Sequence, residues 1–298
     1  MPIDIFRTDA PVLWTRGEGC AEIAELLTPG AVRAEGDLVQ ACVRARADAV
    51  VSRRLSSSFE LLPQVIPDGV DLTGSGSIVA AVSGGPHSPL AAAVAARLGA
   101  VTGLPASMVC AYRDDDGQAG ALSLIQDLYD QIPDLEYRLV AAADAQTLTA
   151  QLPDDAVLVL GAPGGGWLQR TFFGQGAKLI QAAPAGAIVV KSAPRRVFQE
   201  MGEPVYVSPL HGATDLLRIH SAGRLAVTDG GRLVGVVGRE ALEAAGAGVT
   251  VSALMEDPRS VTVTESLDDA MDVWKDFAPD PIPVIDDDGL LVGGLVLD

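Results

Sequence analysis

Between Ser77 and Pro194 short apolar runs alternate with helix-like segments, and this alternation narrows the fold more than any other feature of the chain. The runs "SIVAAVS" (77–83), "ASMVCAYR" (106–113), "LEYRLVAA" (135–142), "DAVLVL" (155–160) and "AGAIVVKSAP" (185–194) read as strands. Between them lie "SPLAAAVAARLGAVTG" (88–103), "GQAGALSLIQDLYDQIP" (117–133), "DAQTLTAQL" (144–152) and "GAKLIQAAP" (176–184), which read as helices. Ser88 is the expected N-cap of the first helix, with Pro89 at its first position. Strands separated by helices imply right-handed crossovers and a mostly parallel sheet covered on both faces. In such sheets ligands sit beyond the carboxyl ends of the strands.

Residues 1–76 form a further α/β segment, too short for a complete doubly wound domain. "APVLWTR" (10–16), "AVRAE" (31–35) and "ADAVVSRRL" (47–55) read as strands, and "GCAEIAELL" (19–27), "DLVQACVRARA" (37–47) and "FELLPQV" (59–65) as helices. The segment either extends the following sheet or is a degenerate half of a duplicated domain, and "PDGVDLTGSGS" (67–77) reads as the linker. The main α/β domain is expected over 77–195 and a third region over 196–298. That third region contains an internal repeat. "GRLAVTDGGRLVGVVGREALEA" and "DPIPVIDDDGLLVGGLVLD" each pair an apolar strand ending in Asp with a glycine-containing turn and a second strand, a hairpin pattern. A helix precedes each hairpin, the second with Ser266 and Asp269 placed as a capping box.

The 298 residues are 48% hydrophobic and carry a net charge of −18, which argues against nucleic acid or an anionic membrane as partner. The N-terminus lacks a basic, apolar leader and no apolar stretch approaches a membrane span, so a cytoplasmic protein is expected. Cys20, Cys42 and Cys110 are widely spaced in apolar surroundings and read as buried, free thiols. "RDDDG" (113–117) and "DDDG" (286–289) read as turns, His87 as a solvated loop residue, and no metal is assigned.

Charge is local, because screening confines it to about 8 Å at physiological salt. From Gly161 to Arg196 there is no acid at all, while Arg170, Lys178, Lys191, Arg195 and Arg196 fall in that window. It opens with "GAPGGGWLQRTFFGQG" (161–176), directly after a buried strand. Glycines at the end of a parallel strand let main-chain N–H groups converge on an anion, aided by the helix that follows. Gly164, Gly165, Gly166, Gly174 and Gln175 are therefore expected to hold phosphates, with Arg170 or Lys178 supplying charge.

The spacing Gly161-x2-Gly164-x9-Gly174 resembles the nucleotide-binding signature of the universal stress protein family, and the resemblance covers roughly 77–193. It implies a Rossmann-like α/β fold that binds ATP or AMP. Gln175 stands where that family has Ser or Thr. Ser83 takes the place of the Asp that contacts the nucleoside, and Tyr112 the place where main chain contacts adenine. "SGGPHS" (83–88) resembles the SGG-x-D-S loop of ATP pyrophosphatases, with His87 replacing the Asp. Residues 200–298 resemble a tandem pair of cystathionine β-synthase-type (CBS) domains, an α+β module that implies dimerisation and adenosyl ligands between repeats. The Gly-x-x-Thr/Ser-x-x-Asp pattern of ligand-binding pairs is absent after Gly235 and Gly293.

The expected function is that of a stress or regulatory protein that binds an adenine nucleotide, signals through the CBS module as a homodimer or to an unidentified protein, and is not chiefly an enzyme. The alternatives are a nucleotide-free dimeric scaffold and a pyrophosphatase-like, ATP-using enzyme.

Overall fold

A computed structural model of the chain describes residues 10–54, 56, 59–133, 135–162, 180, 182–183, 185–220 and 222–297. Two compact units divide it, Met1–Ala193 and Pro194–Asp298.

The first unit contains strands β1 (Val12–Trp14), β2 (Val32–Arg33), β3 (Ala49–Val51), β4 (Gln64–Asp68), β5 (Ser77–Val82), β6 (Ala106–Tyr112), β7 (Glu136–Ala141), β8 (Ala156–Gly161) and β9 (Ala187–Lys191). Its described helices are α1 (Cys20–Leu27), α2 (Leu38–Ala45), α3 (Ser88–Thr102), α4 (Asp115–Gln131) and α5 (Ala145–Thr149). All nine strands join one sheet in the order β2-β1-β3-β4-β9-β8-β5-β6-β7. Every neighbouring pair is parallel except β4 and β9. About that antiparallel seam the two halves share one strand order. Moving outward from the seam, each half presents its last strand, its penultimate strand, its first and its second; only the later half adds a further strand, β7.

Both faces of the sheet are covered, which is why its strands read as nearly unbroken apolar runs. Ile78, Ala80, Val82, Val157, Val159 and Ile188 pack with α1, α3 and α4, while Val79, Ala81, Val109, Leu158 and Leu160 pack with α5 on the opposite face. α3 lies between the sheet and α1 and buries residues all round its girth, so it is built from alanine and other small apolar residues. His87, not Ser88, is its N-cap. The Ser88 hydroxyl instead accepts the Ser83 N–H at 3.2 Å.

"FELLPQV" is not a helix: its last two residues open β4, and the supposed linker begins inside the same strand. Pro63 would break a helix there. Within the strand Pro67 is tolerated for a directional reason. Val50 N–H donates to the Pro63 carbonyl at 2.9 Å and Ser52 N–H to that of Val65 at 3.0 Å, so alternate residues of β4 face β3. β3 ends at Val51, and Pro67, the next in that series, lies past it where no N–H is called for. Gln64, paired with Lys191 across the seam, is buried and fully bonded. Its carboxamide accepts from Ser56 N–H at 3.0 Å and donates to the carbonyls of Ser56 at 3.0 Å and Phe59 at 2.8 Å, fixing the β3–β4 connection.

The second unit contains α6 (Val197–Glu200), β10 (Tyr206–Val207), α7 (Ala213–Ile219), β11 (Arg224–Asp229), β12 (Arg232–Gly238), α8 (Arg239–Ala244), a 3-10 turn (Val251–Ala253), β13 (Val261–Thr262), α9 (Leu267–Trp274), β14 (Ile282–Ile285) and β15 (Leu291–Leu295). The repeat read from sequence is real: β10-β11-β12 and β13-β14-β15 are two sheets, each a short parallel pair followed by a hairpin. Gly230 and Gly231, at φ 58° and 84°, close the first hairpin as a two-residue turn that needs positive φ at both positions. In the second, the Asp286 carboxylate accepts from the N–H groups of Asp288 at 3.0 Å and Leu290 at 2.8 Å. At α9 the Ser266 hydroxyl accepts Asp269 N–H at 3.1 Å and donates to the Asp269 carboxylate at 2.6 Å, a variant of the expected capping box.

The repeats exchange their leading segments. Val197 and Phe198 donate to the carbonyls of Glu265 and Val263 in the second repeat, both at 3.0 Å, and Gly202 donates to Gly294 at 2.8 Å. Reciprocally, Val251 donates to His211 at 3.0 Å and Glu256 to Val236 at 2.8 Å in the first repeat. Gly235 and Gly293 make this possible. A Cβ on Gly235 would stand 2.8 Å from the Glu256 carbonyl oxygen, and one on Gly293 would stand 2.7 Å from Met201 Sδ.

Candidate functional site

The carboxyl ends of β5 and β6 and the first turns of α4 enclose a cavity of about 470 Å³. That volume lies within the range of small-molecule sites. Ser83 and Gly84 come from the end of β5, Cys110 to Asp114 from the end of β6, and Gly117, Gly120, Ala121 and Leu124 from one face of α4. These four α4 positions follow the i, i+3, i+4, i+7 spacing of a single helical stripe. Two of the four are glycine, which removes side chains where the cavity opens. A Cβ on Gly120 would meet nothing within 4 Å.

The lining is apolar below and polar at the rim. Cys110 is a free, buried thiol whose pKa burial pushes up to about 11, so it acts as neutral apolar surface rather than as a nucleophile. The other two cysteines are also free and buried. Among the described residues the Ser83 hydroxyl makes no hydrogen bond, and it faces a site where it can donate or accept. Asp114 caps α4, its carboxylate accepting Gly117 N–H at 2.9 Å, and Asp115 and Asp116 stand in the first turn. The acidic run "DDD" is therefore a helix start. It complements the helix dipole and repels an anion from that rim.

Ser83 and Tyr112, two of the residues picked from the sequence, thus come together in one cavity. Gly161 closes β8 and is not among the lining residues. Its missing side chain serves another contact, because a Cβ there would lie 2.9 Å from His87 Cβ. Gly164, Gly165, Gly166, Arg170, Gly174 and Gln175 lie outside the described residues.

His87 is not a solvated loop residue. It reaches over the end of β8 to the residue following β9, where its Nδ1 accepts Ser192 N–H at 3.1 Å and lies 2.7 Å from Ser192 Oγ. Ser192 Oγ is in turn 2.9 Å from the Pro86 carbonyl oxygen. Burial, with the nearby Lys191 ammonium, holds the His87 pKa below its ordinary value. Nothing local in the sequence marks this pair, whose members are 105 residues apart. The glycine stripe of α4 was open to reading, since "GQAG" holds two glycines three apart inside a helical pattern.

No family model matches the chain, and no curated protein does. Solved structures similar to it include the cytosolic domain of the Mg2+ channel MgtE in complex with ATP, at 23% identity and TM-score 0.32 over 34% of this chain and 46% of that one. CBSX2, a CBS-pair protein from Arabidopsis thaliana, shares 25% identity at TM-score 0.31, with 35% of this chain and 89% of that one covered. The CBS domain of a bacterial CNNM/CorC family Mg2+ transporter shares 22% identity at TM-score 0.31, with 34% and 70% covered. The chain spans less than half the length of the MgtE domain it matches.

In the second unit the cavity between the two repeats is only about 60 Å³, lined by Val205, Arg224, Ala226, Pro283, Leu291 and Gly293 among others. That is several-fold below the volume of an ordinary ligand site, roughly 300 Å³ at the least. Among the described residues no group of three or more His, Cys, Asp or Glu side chains is placed to hold a metal ion, and no helix is long and apolar enough to cross a membrane.

Proposed function

We propose that the first unit is a universal-stress-protein-type domain that binds an adenine nucleotide, ATP or AMP, and that the second is a CBS-type pair passing the signal on through a homodimer or to a protein partner in the cytoplasm. The cavity at the ends of β5 and β6 carries the reading: it places Ser83 and Tyr112 around an apolar floor, at the end of a parallel sheet where nucleotides bind. A flat base fits against the glycine stripe of α4, and the Ser83 hydroxyl suits a ribose. The phosphates then run away from Asp114, Asp115 and Asp116, toward the end of β8 at Gly161.

Isothermal titration of the whole chain with ATP, AMP and adenosine tests this. The wild type is expected to bind, and Gly120→Leu to lose affinity by about a hundredfold because the new side chain fills the cavity without meeting the fold. No heat from the wild type with any of the three removes the nucleotide reading and leaves the scaffold.

For the second unit the narrow cavity and the structural use of Gly235 and Gly293 favour assembly over adenosyl binding. Titration of AMP and ATP into a chain carrying Gly120→Leu checks this, with no binding expected beyond that of the weakened first-unit site.

A further inference from the structure

We infer that His87 receives the phosphate end of the nucleotide, its Nε2–H donating to a phosphate oxygen beyond the carboxyl ends of β8 and β9. The inference rests on the adenine-nucleotide reading above and adds a residue that this reading does not use.

Sheet topology places His87 where the strand order turns back. From β5 the chain crosses to β6 on one side, while from β8 it passes to β9 on the other, and the loop after β5 leans across that divide. Gly161 marks the crossing: the nearest atom to a Cβ built on it is His87 Cβ, at 2.9 Å. In open α/β sheets this is the position at which ligands enter.

The tautomer follows from the hydrogen bonds. The Ser192 hydroxyl, 2.7 Å from Nδ1 and 2.9 Å from the Pro86 carbonyl oxygen, can turn its one proton to either, whereas the main-chain N–H of Ser192 can only donate and cannot turn away; its bond at 3.1 Å takes a lone pair on Nδ1, and the hydroxyl proton then goes to the same nitrogen. The proton of the neutral ring is then on Nε2, across the ring from Ser192. Among the described residues Nε2 has no hydrogen-bond partner, and the side chain is only half-buried. Ser192 therefore holds the ring by one nitrogen and leaves the other as an aimed, unused donor.

Electrostatics agree. The charged group acting on His87 is Lys191, the residue before Ser192. The Lys191 ammonium is tied to the Ser56 and Phe59 carbonyls at 3.4 Å each and stands 3.9 Å from the exposed Glu60 carboxylate. Asp114, which lines the cavity, and Asp115 and Asp116 in the first turn of α4 follow β6, on the side of β5 away from β8 and β9. A nucleotide with its base against α4 meets repulsion on that side and a fixed donor beside a cation on the other.

The test uses the full chain and two variants that imitate one nitrogen each. His87→Asn offers an oxygen near the place of Nδ1 for the Ser192 N–H but has nothing at the place of Nε2; His87→Gln offers an amide donor there. For a hydrogen bond to a charged phosphate, His87→Asn is expected to weaken ATP binding by about tenfold or more while leaving adenosine affinity and the melting temperature unchanged. His87→Gln is expected to recover most of the ATP affinity. His87→Asn binding ATP as tightly as the wild type overturns the inference, as does an equal loss of ATP and adenosine in both variants, which would mark His87 as packing alone. A wild type that binds neither compound overturns the nucleotide reading itself, and the inference with it.

Discussion

Three and six residues past their capping aspartates, α2 carries Gln40 and Val43 where α4 carries Gly117 and Gly120. The two helices belong to halves of one sheet with the same strand order, and both start on an Asp whose carboxylate accepts the N–H three residues on. Among the described residues, α4 lines a cavity against the ends of the first two strands of its half, and α2 lines none at the matching place. At the matching place in the earlier half, the Arg33 guanidinium lies over the Trp14 ring at 5.7 Å. The described cavity of that half, about 340 Å³, lies instead beside β3 and the loop clipped by Gln64. A shared topology thus supplies two crevices, and the side chains on one helix stripe help decide which of them opens into a cavity.

The seam that joins the halves gives the largest expected effect. Gly186 has φ 87°, and a Cβ on it would run into the Gly69 carbonyl group just past β4. Gly186→Ala is expected to destabilise the first unit by about 3 kcal/mol, combining a disfavoured φ with overpacking, as read by denaturant unfolding. If its stability is unchanged, the seam is not what couples the halves. Next comes Gln64→Leu, which strips buried partners from the β3–β4 connection. A loss of about 2 kcal/mol is expected, with early proteolysis between β3 and β4. Smaller, and of opposite sign, is Gly120→Ala, expected to stabilise by about 1 kcal/mol because Gly is a poor helix residue and the space is open. Val43→Gly in α2 should cost a similar amount, and if both changes destabilise, Gly120 is needed for the fold rather than for the cavity.

The smallest expected effect concerns pH. The folded chain lowers the His87 pKa below its unfolded value of 6.5, so the unfolded state binds the extra proton first. The stability carried by the neutral ring is present above pH 6.5 and is lost as pH falls through the lower folded value. His87→Asn should therefore show a flatter fall in melting temperature from pH 7 to 5 than the wild type. Parallel curves would mean that the imidazole is not desolvated by the fold.

Much of the architecture was legible because its signals are local. Strand runs from Ser77 to Lys191, the capping residue Ser266 and the Gly230–Gly231 turn each depend on neighbours a few residues away, whereas "RDDDG" was taken for a turn and is the start of α4, capped by Asp114. Ser83 and Tyr112 were picked by family resemblance, and each stands at the end of a readable strand, where the fold brings both to one cavity. "FELLPQV" misled because a helix-like apolar count took precedence over its one proline, Pro63, and the strand that follows holds Pro67 only because β3 stops short of it. Gly161 was read as part of an anion cradle; its described contact is with His87, which only the folded sheet brings to it.

By itself, then, the sequence determined which segments become strands, helices and turns, because periodicity, capping and φ preference act over one or two turns of chain. Tertiary structure alone decided that β4 runs against β9, that the repeats of the second unit exchange their leading segments, and that Ser192 fixes one nitrogen of His87 and frees the other. Those outcomes depend on strand order and register across as many as 105 residues, a distance over which local patterns carry no record of who meets whom.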